Sequence, residues 1–284
     1  MLKTNKDLLP IFSVQGQISH PTSRGPRIDM EGRVHYFGTT GGITYNAKIG
    51  DPCCGWIADH LEPGVSTKHT DEHANAAYNT YSCVGNDAVV VSGDAKGEKG
   101  FVIGTHGGIE HVMIHFEDET LQKLNIEDKI LVKACGQGMA LTDYPEVMLR
   151  NMSPALLEKM NIKEDGGCLK IGVAKIAPAK IMGSGLGFVP SASGDYDITL
   201  FDKAITEEYG LMDLRFGDIV AITDADTRYG RQFMTGAVTI GVIVHSDCII
   251  PGHGPGVATL MSATDGKIVP VIDDKANLKN FFVK

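Results

Sequence analysis

The feature that most constrains this chain is a repeated alternation of short β-branched runs with glycine and aspartate. Residues 87–92 read DAVVVS, 100–104 GFVIG, 109–116 IEHVMIHF and 129–134 KILVKA. β-Branched side chains fit a pleated backbone, and Gly and Asp close the turns between such runs. The runs are too short to be independent helices. The second half repeats the style at 168–176, 218–223 (DIVAIT) and 237–244 (AVTIGVIV). The last run is apolar on both faces, as in a strand covered on both sides.

Helical signals are few and short. One helix is expected from Asp118 through Leu124, one at 145–151 and one at 154–160. Ser153 is a good N-cap for the third, with Pro154 at its first position. A fourth is expected at 199–209, ended by Gly210. The fold class is therefore mainly β, a β-rich α+β chain with two barrel-like or sandwich-like subdomains. The boundary is placed between 1–165 and 166–284, where a polar helical stretch ends in Asp165-Gly166-Gly167. A short internal echo supports two halves. LNIEDKILVK (124–133) parallels LRFGDIVAIT (214–223), each with an Asp closing the turn into a strand. Barrel-like closure is favoured over an open sandwich.

Composition narrows the function classes. The net charge of −9 gives an acidic surface, which repels nucleic-acid backbones and anionic lipid heads. There is no basic stretch, no signal-peptide pattern, and no apolar run near the ~20 residues that span a bilayer. A cytoplasmic protein with a small-molecule ligand is expected, with no nucleic-acid or membrane partner. A homo-oligomer is expected on general grounds. The six cysteines show no CxxC spacing and read as free thiols.

His, Asp and Glu residues crowd into three glycine-rich segments. The first holds Asp59, His60 and Glu62, followed by His69, Asp71, Glu72 and His73. His60 and Glu62, spaced i, i+2, would share one face of an extended chain and could share a metal. The stretch from His69 to His73 reads more simply as an exposed polar loop. The second segment holds Asp94, after Gly93, and His106, before Gly107-Gly108. If the two lay at one end of a hairpin they would complete the ligand set. His111 and His115 alternate with apolar neighbours and are expected to face solvent or an interface.

The third segment contains Asp224 and Asp226, then His245 and Asp247, then the turn Pro251-Gly252-His253-Gly254-Pro255-Gly256. A histidine between glycines and prolines is presented by a stiff turn, and imidazole suits proton transfer near neutral pH. His253 and His245 are the proton-transfer candidates, with Asp247 as orienter. The glycines Gly252, Gly254, Gly183 and Gly185 could bring backbone N–H groups to a ligand. The stretch 182–187 (MGSGLG) lacks the nucleotide-loop pattern. Asp195 and Asp197 read as supporting or helix-opening acids. No GxSxG elbow supports a serine nucleophile.

The motifs GGITYN (41–46) with Gly50-Asp51, DHLEPGVS (59–66) and GHGPGV (252–257) resemble a family of uncharacterised bacterial and archaeal proteins known as a domain of unknown function. That resemblance covers nearly the whole chain and implies two β-rich parts without an established activity. A local likeness is to the acetamidase/formamidase family, in VSGDAKGEKGFVIG (91–104). Lys96 stands where that family carries a histidine. Together these readings favour a hydrolase of a small polar, amide-type substrate. A divalent Zn, Mn or Fe would be held by His60, Glu62, Asp94 and His106. The alternative is a non-catalytic binder of a small anion or metabolite, and a purely structural role is the third reading.

Overall fold

The computed structural model describes residues 2–23, 25–38, 40–189 and 191–283. Strands β1 (Phe12–Ile18), β2 (Val65–Lys68), β3 (Asp87–Val90), β4 (Lys99–His106), β5 (His111–His115) and β6 (Lys129–Ala134) form a closed barrel, ordered β1-β2-β5-β4-β3-β6. Every neighbouring pair is antiparallel. Closure removes the open edges that β1 and β6 would otherwise present. Val65, Val90, Val102, Ile114 and Val132 fill the barrel.

Helix α1 (Glu72–Tyr81) covers one side of the barrel. Asp71 caps it by accepting the Ala74 N–H. The Tyr78 ring lies against Gly16 of β1, where no Cβ would fit, and its hydroxyl lies 2.8 Å from Thr67 Oγ1. This helix replaces the expected polar loop at its start. It has no apolar stripe, so its periodicity is silent; what it buries besides Tyr78 is Asn75 and Asn79. Both of those amides donate to the Glu110 carbonyl.

Arg27–Ile28 pairs with Val34–His35 as a small separate hairpin, and the main strands after the barrel are β7 (Ile162–Asp165), β8 (Cys168–Val173), β9 (Lys175–Pro178), β10 (Tyr196–Asp197), β11 (Ile219–Asp226), β12 (Gln232–His245), β13 (Gly256–Ala263) and β14 (Ile268–Ile272). A large sheet runs β9-β11-β12-β13-β10, and a small one β7-β8-β14. The 145–151 stretch is not a helix. Met148–Leu149 is instead a short strand against β13, with Leu149 opposite Met261. The other helices are α2 (Asp118–Leu121), α3 (Pro154–Lys159), α4 (Lys203–Glu208) and α5 (Leu278–Phe282). Ser153 caps α3 as its sequence indicates, accepting the Leu156 N–H.

The echo between the halves has a physical counterpart. Asp128 accepts the Asn125 N–H through Oδ2 at 2.8 Å, and Asp218 accepts the Arg215 N–H in the same way at 2.8 Å. Each bond closes the turn that launches a strand.

The barrel and the large sheet share one apolar core. Ile103 and Met113 from β4 and β5 cluster with Val244, Ala258 and Leu260 from β12 and β13. Gly104 allows this approach, since a Cβ there would collide with Val244. Each fully buried Leu or Ile adds roughly 1.5–3 kcal/mol. This seam fixes the ends of β4 and β12 side by side, and the histidines that end them, His106 and His245, meet there.

Candidate metal centre

The two chain segments beside the seam are pinned to each other. Leu61 N–H donates to Ser246 Oγ, and Ser246 N–H donates to the Leu61 carbonyl. His60 sits at φ 53°, in the left-handed region that a non-glycine side chain seldom occupies. This twist breaks the alternation of an extended chain. His60 therefore lines the cleft while Glu62 turns into the protein, so the pair does not share a face.

Glu62 is fully engaged by the protein itself. Its carboxylate accepts from Gly41 N–H, Ser66 Oγ, His106 Nδ1 and His111 Nδ1, at 2.6–2.9 Å for the shortest bond of each. Burial alone would raise its pKa, but the two imidazoles hold it well below the usual carboxylate range. No lone pair is left over for a cation, so Glu62 orients His106 rather than binding metal. His111, expected to face solvent, is wholly buried against it, and His115 is buried too.

Three histidines of the cluster share one arrangement. His106 gives Nδ1 to Glu62, His60 gives Nδ1 to Asp59 at 3.0 Å, and His245 gives Nδ1 to the Ser246 carbonyl at 2.9 Å. A carbonyl only accepts, so His245 Nδ1 carries the proton. In each ring the second nitrogen, Nε2, is left for another partner. Metal-bound histidines are oriented in this manner.

Two aspartates, on β10 and just before it, lie near the Nε2 atoms of His245 and His60. His245 Nε2 lies 2.8 Å from Asp195 Oδ2 and 3.5 Å from Asp197 Oδ1. Yet both His245 Nε2 and Asp195 Oδ2 are buried without a hydrogen bond among the described residues. The His106 and His245 rings stack at 4.1 Å, and His106, Asp195 and His245 each offer a ligand atom within 4.8 Å of the others. His60, Cys248 and His253 form a second such group. His253 Nδ1 lies 3.1 Å from Asp197 Oδ2 and 3.2 Å from His60 Nε2.

The electrostatics ask for positive charge. Burial works against ionisation of Asp195 and Asp197, yet His245 and the neighbouring imidazoles keep both below the usual range. Burial likewise disfavours charge on His60, but Asp197 and Asp59 raise it to about 10. His245 is raised well above its ordinary value against the same burial, by the charge of Asp195. His106 is lowered by burial and by the charge of His245. Asp59 is buried, which opposes its charge, but the His60 hydrogen bond and the Arg27 ion pair at 3.0 Å help hold it at about 2.

The cleft above the cluster encloses about 280 Å³ and is bordered by Arg27, Thr40, Gly107, Gly108 and Ser184. The glycine loops are spent on the protein's own acceptors. Gly254 N–H donates to Asp197 Oδ2, Gly183 N–H to the Asp197 carbonyl, and Gly107 N–H to Asp195 Oδ1. The Gly252 carbonyl accepts from Ser184 N–H, and Gly185 packs against the Asp195 and Tyr196 backbone. These loops brace Asp195 and Asp197.

Two further sequence expectations are corrected. Asp94 is exposed in the turn before β4, while His106 ends that strand. The eight-residue strand separates them by about 23 Å at the usual rise. Asp247 does not orient His245. Its carboxylate accepts the Gly55 N–H at 3.1 Å, and its carbonyl accepts the His60 N–H. Asp195, Asp197, Cys248 and His111 are the members that sequence reasoning underrated. The i, i+2 spacing of Asp195 and Asp197 was the available signal.

Fold and site together define a barrel-and-sheet protein with a buried imidazole–carboxylate cluster at the seam. The chain belongs to the DUF4438 family. Residues 26–158 match "Domain of unknown function (DUF4438), N-terminal" and residues 159–282 match the C-terminal domain of the same family. A solved structure described as "Crystal structure of TM1086" is 46% identical over 99% of each chain, with a TM-score of 0.96. No curated protein matches the chain. The likeness to acetamidases finds no support in these comparisons. No helix among the described residues is long and apolar enough to cross a membrane.

Proposed function

We propose that this protein is a metal-dependent hydrolase of a small polar, amide-type substrate, its divalent cation held by His106, His245 and Asp195. One observation carries the reading. His245, whose Nδ1–H is committed to the Ser246 carbonyl, presents Nε2 to Asp195 Oδ2 at 2.8 Å, and His106 stacks on the same ring, so that three ligand atoms converge within 4.8 Å of one another among buried residues. The raised pKa of His245 joins the pair through a proton, which a bound cation would displace. Zn, Mn or Fe suits an imidazole–carboxylate donor set.

Such a cation would polarise a carbonyl and lower the pKa of a water beside it. The chain's own part is positional. Glu62 and the Ser246 carbonyl fix the two rings. Gly107 and Gly108, without side chains, let a small substrate approach along the cleft wall. The anion-binding alternative is weaker, because Gly254, Gly183 and Gly107 give their N–H groups to the protein's own acceptors.

The test is elemental analysis of untagged protein, then titration of metal-free protein with Zn²⁺ and Mn²⁺. Metal-loaded protein is assayed against formamide, acetamide and small cyclic amides. At least one equivalent of tightly held metal, lost in His106→Ala and His245→Ala, and hydrolysis by the loaded form are expected. Failure to bind either ion would overturn the reading.

A further inference from the structure

We infer that the centre is built for two cations, with Asp197 as the bridging carboxylate; this rests on the metal reading above and extends it. The two oxygens of Asp197 address different groups. Oδ1 lies 3.5 Å from His245 Nε2, on the side of His106 and Asp195. Oδ2 lies 3.6 Å from His60 Nε2 and 3.1 Å from His253 Nδ1. A carboxylate whose oxygens face two separate donor sets matches the bridge of a two-metal site, where the ions sit about 3.5–4 Å apart.

The second donor set is as prepared as the first. His60 is turned toward it by the Asp59 bond and held at φ 53°, a strained conformation that the pinned segments maintain. Arg27 in turn anchors Asp59. His253 comes from the stiff PGHGPG turn, which closes on Asp197 through the Gly254 N–H. Cys248 Sγ offers a further donor within 4.8 Å of both imidazoles, and it already bonds Asp59 Oδ1 at 2.8 Å. The first position is wholly buried, whereas His253 is partly exposed at the cleft. The second cation is therefore the one nearer the solvent, and it exchanges faster.

The thiol and imidazoles of the outer position favour zinc over magnesium or calcium. Two ions across one carboxylate would clamp a substrate oxygen from both sides, as in hydrolases that act through paired metals. The inner group alone would supply only one face of that clamp.

The experiment counts ions. Metal-free full-length protein is titrated with Zn²⁺ by calorimetry and with Mn²⁺ by electron paramagnetic resonance, with elemental analysis of the dialysed product. The expected result is two equivalents and, with Mn²⁺, the spectrum of an exchange-coupled pair. His253→Ala, at a partly exposed turn, should fold normally, bind one equivalent and show an uncoupled Mn²⁺ signal. Asp197→Asn should abolish the coupling. One equivalent in the unaltered protein would overturn the two-cation inference and leave the single-metal reading standing. Two equivalents that persist uncoupled, or that survive His253→Ala, would also overturn it. No binding at all would sink both.

Discussion

Gly256 gives the sharpest test of how rigid the centre is. It opens β13, lies opposite His245, and has an ordinary φ, so alanine suits its backbone. A Cβ built there would fall far inside the 3.0 Å that real Cβ atoms respect, against both Asp195 Oδ2 and His245 Nε2. To restore the 3.4 Å of ordinary contact, each group would have to retreat by roughly 1 Å or more, in an interior packed without slack. Overpacking of this kind costs about 1–3 kcal/mol. At about 2–4 °C per kcal/mol for a chain of this size, Tm of Gly256→Ala should fall by roughly 2–12 °C. Displacing two ligands that far should weaken metal binding at least as much as loss of an orienting partner, about 10–100-fold. Differential scanning calorimetry and competitive titration with a chromophoric chelator measure the two effects. Gly38→Ala is the control, with no atom of the described residues within 4 Å of its Cβ and no positive φ. If Gly256→Ala bound metal like the parent and kept its Tm, Asp195 and His245 could not be the fixed ligand pair described above.

Other perturbations probe separate parts of the argument. Glu62→Gln places an amide N–H₂ among imidazole, amide and hydroxyl donors. Metal affinity should fall about 10–100-fold in the same chelator assay, and an unchanged value would remove Glu62 as the residue that orients His106. Asp94→Ala should keep full metal content and a stability within about 0.5 kcal/mol of the parent, since the residue is an exposed turn position; loss of metal would restore it as a ligand. Leu260→Ala, in the core shared by barrel and sheet, should cost about 2–5 kcal/mol in urea and leave a single transition. Two transitions would mean that the two parts fold separately. Burial raises the pKa of Tyr78 and Tyr196 above the ordinary value of 10.0. Above that pH the unfolded chain loses those protons first. The folded state then retains more protons, and stability should fall as pH climbs. Urea midpoints measured from pH 8 to 11 should be level in this contribution at first and then decline, less steeply in Tyr78→Phe. A midpoint that does not decline above pH 10 would count against the buried phenols.

The strands were readable because a β-branched run of five or six residues between turn formers has few other places to go. Lys129–Ala134 falls where its sequence puts it, and the paired turns at Asp128 and Asp218 follow from one local hydrogen bond each. Helix α1 was not readable, because its buried face is asparagine and tyrosine and carries no apolar period. The strand Gly256–Ala263 was hidden behind the unusual turn before it. Among the site residues, His106, His245 and His253 stand out locally, since each sits beside glycine or at the end of an apolar run, and His60 stands out by its i, i+2 spacing to Glu62. Glu62 stood out equally, and the sequence could not show that four donors had already claimed it.

What the sequence determined by itself is therefore local: short strands, capped turns, and imidazoles at their ends. The tertiary structure decided the rest. Gly104 lets β4 meet β12, the shared core brings His106 against His245, and a left-handed His60 parts it from Glu62. Asp195 and Asp197 become central because β10 pairs with β13 beside those histidines. Which lone pairs converge depends on contacts between residues up to two hundred positions apart. Those contacts are set by packing at the seam, and no periodicity along the chain records them.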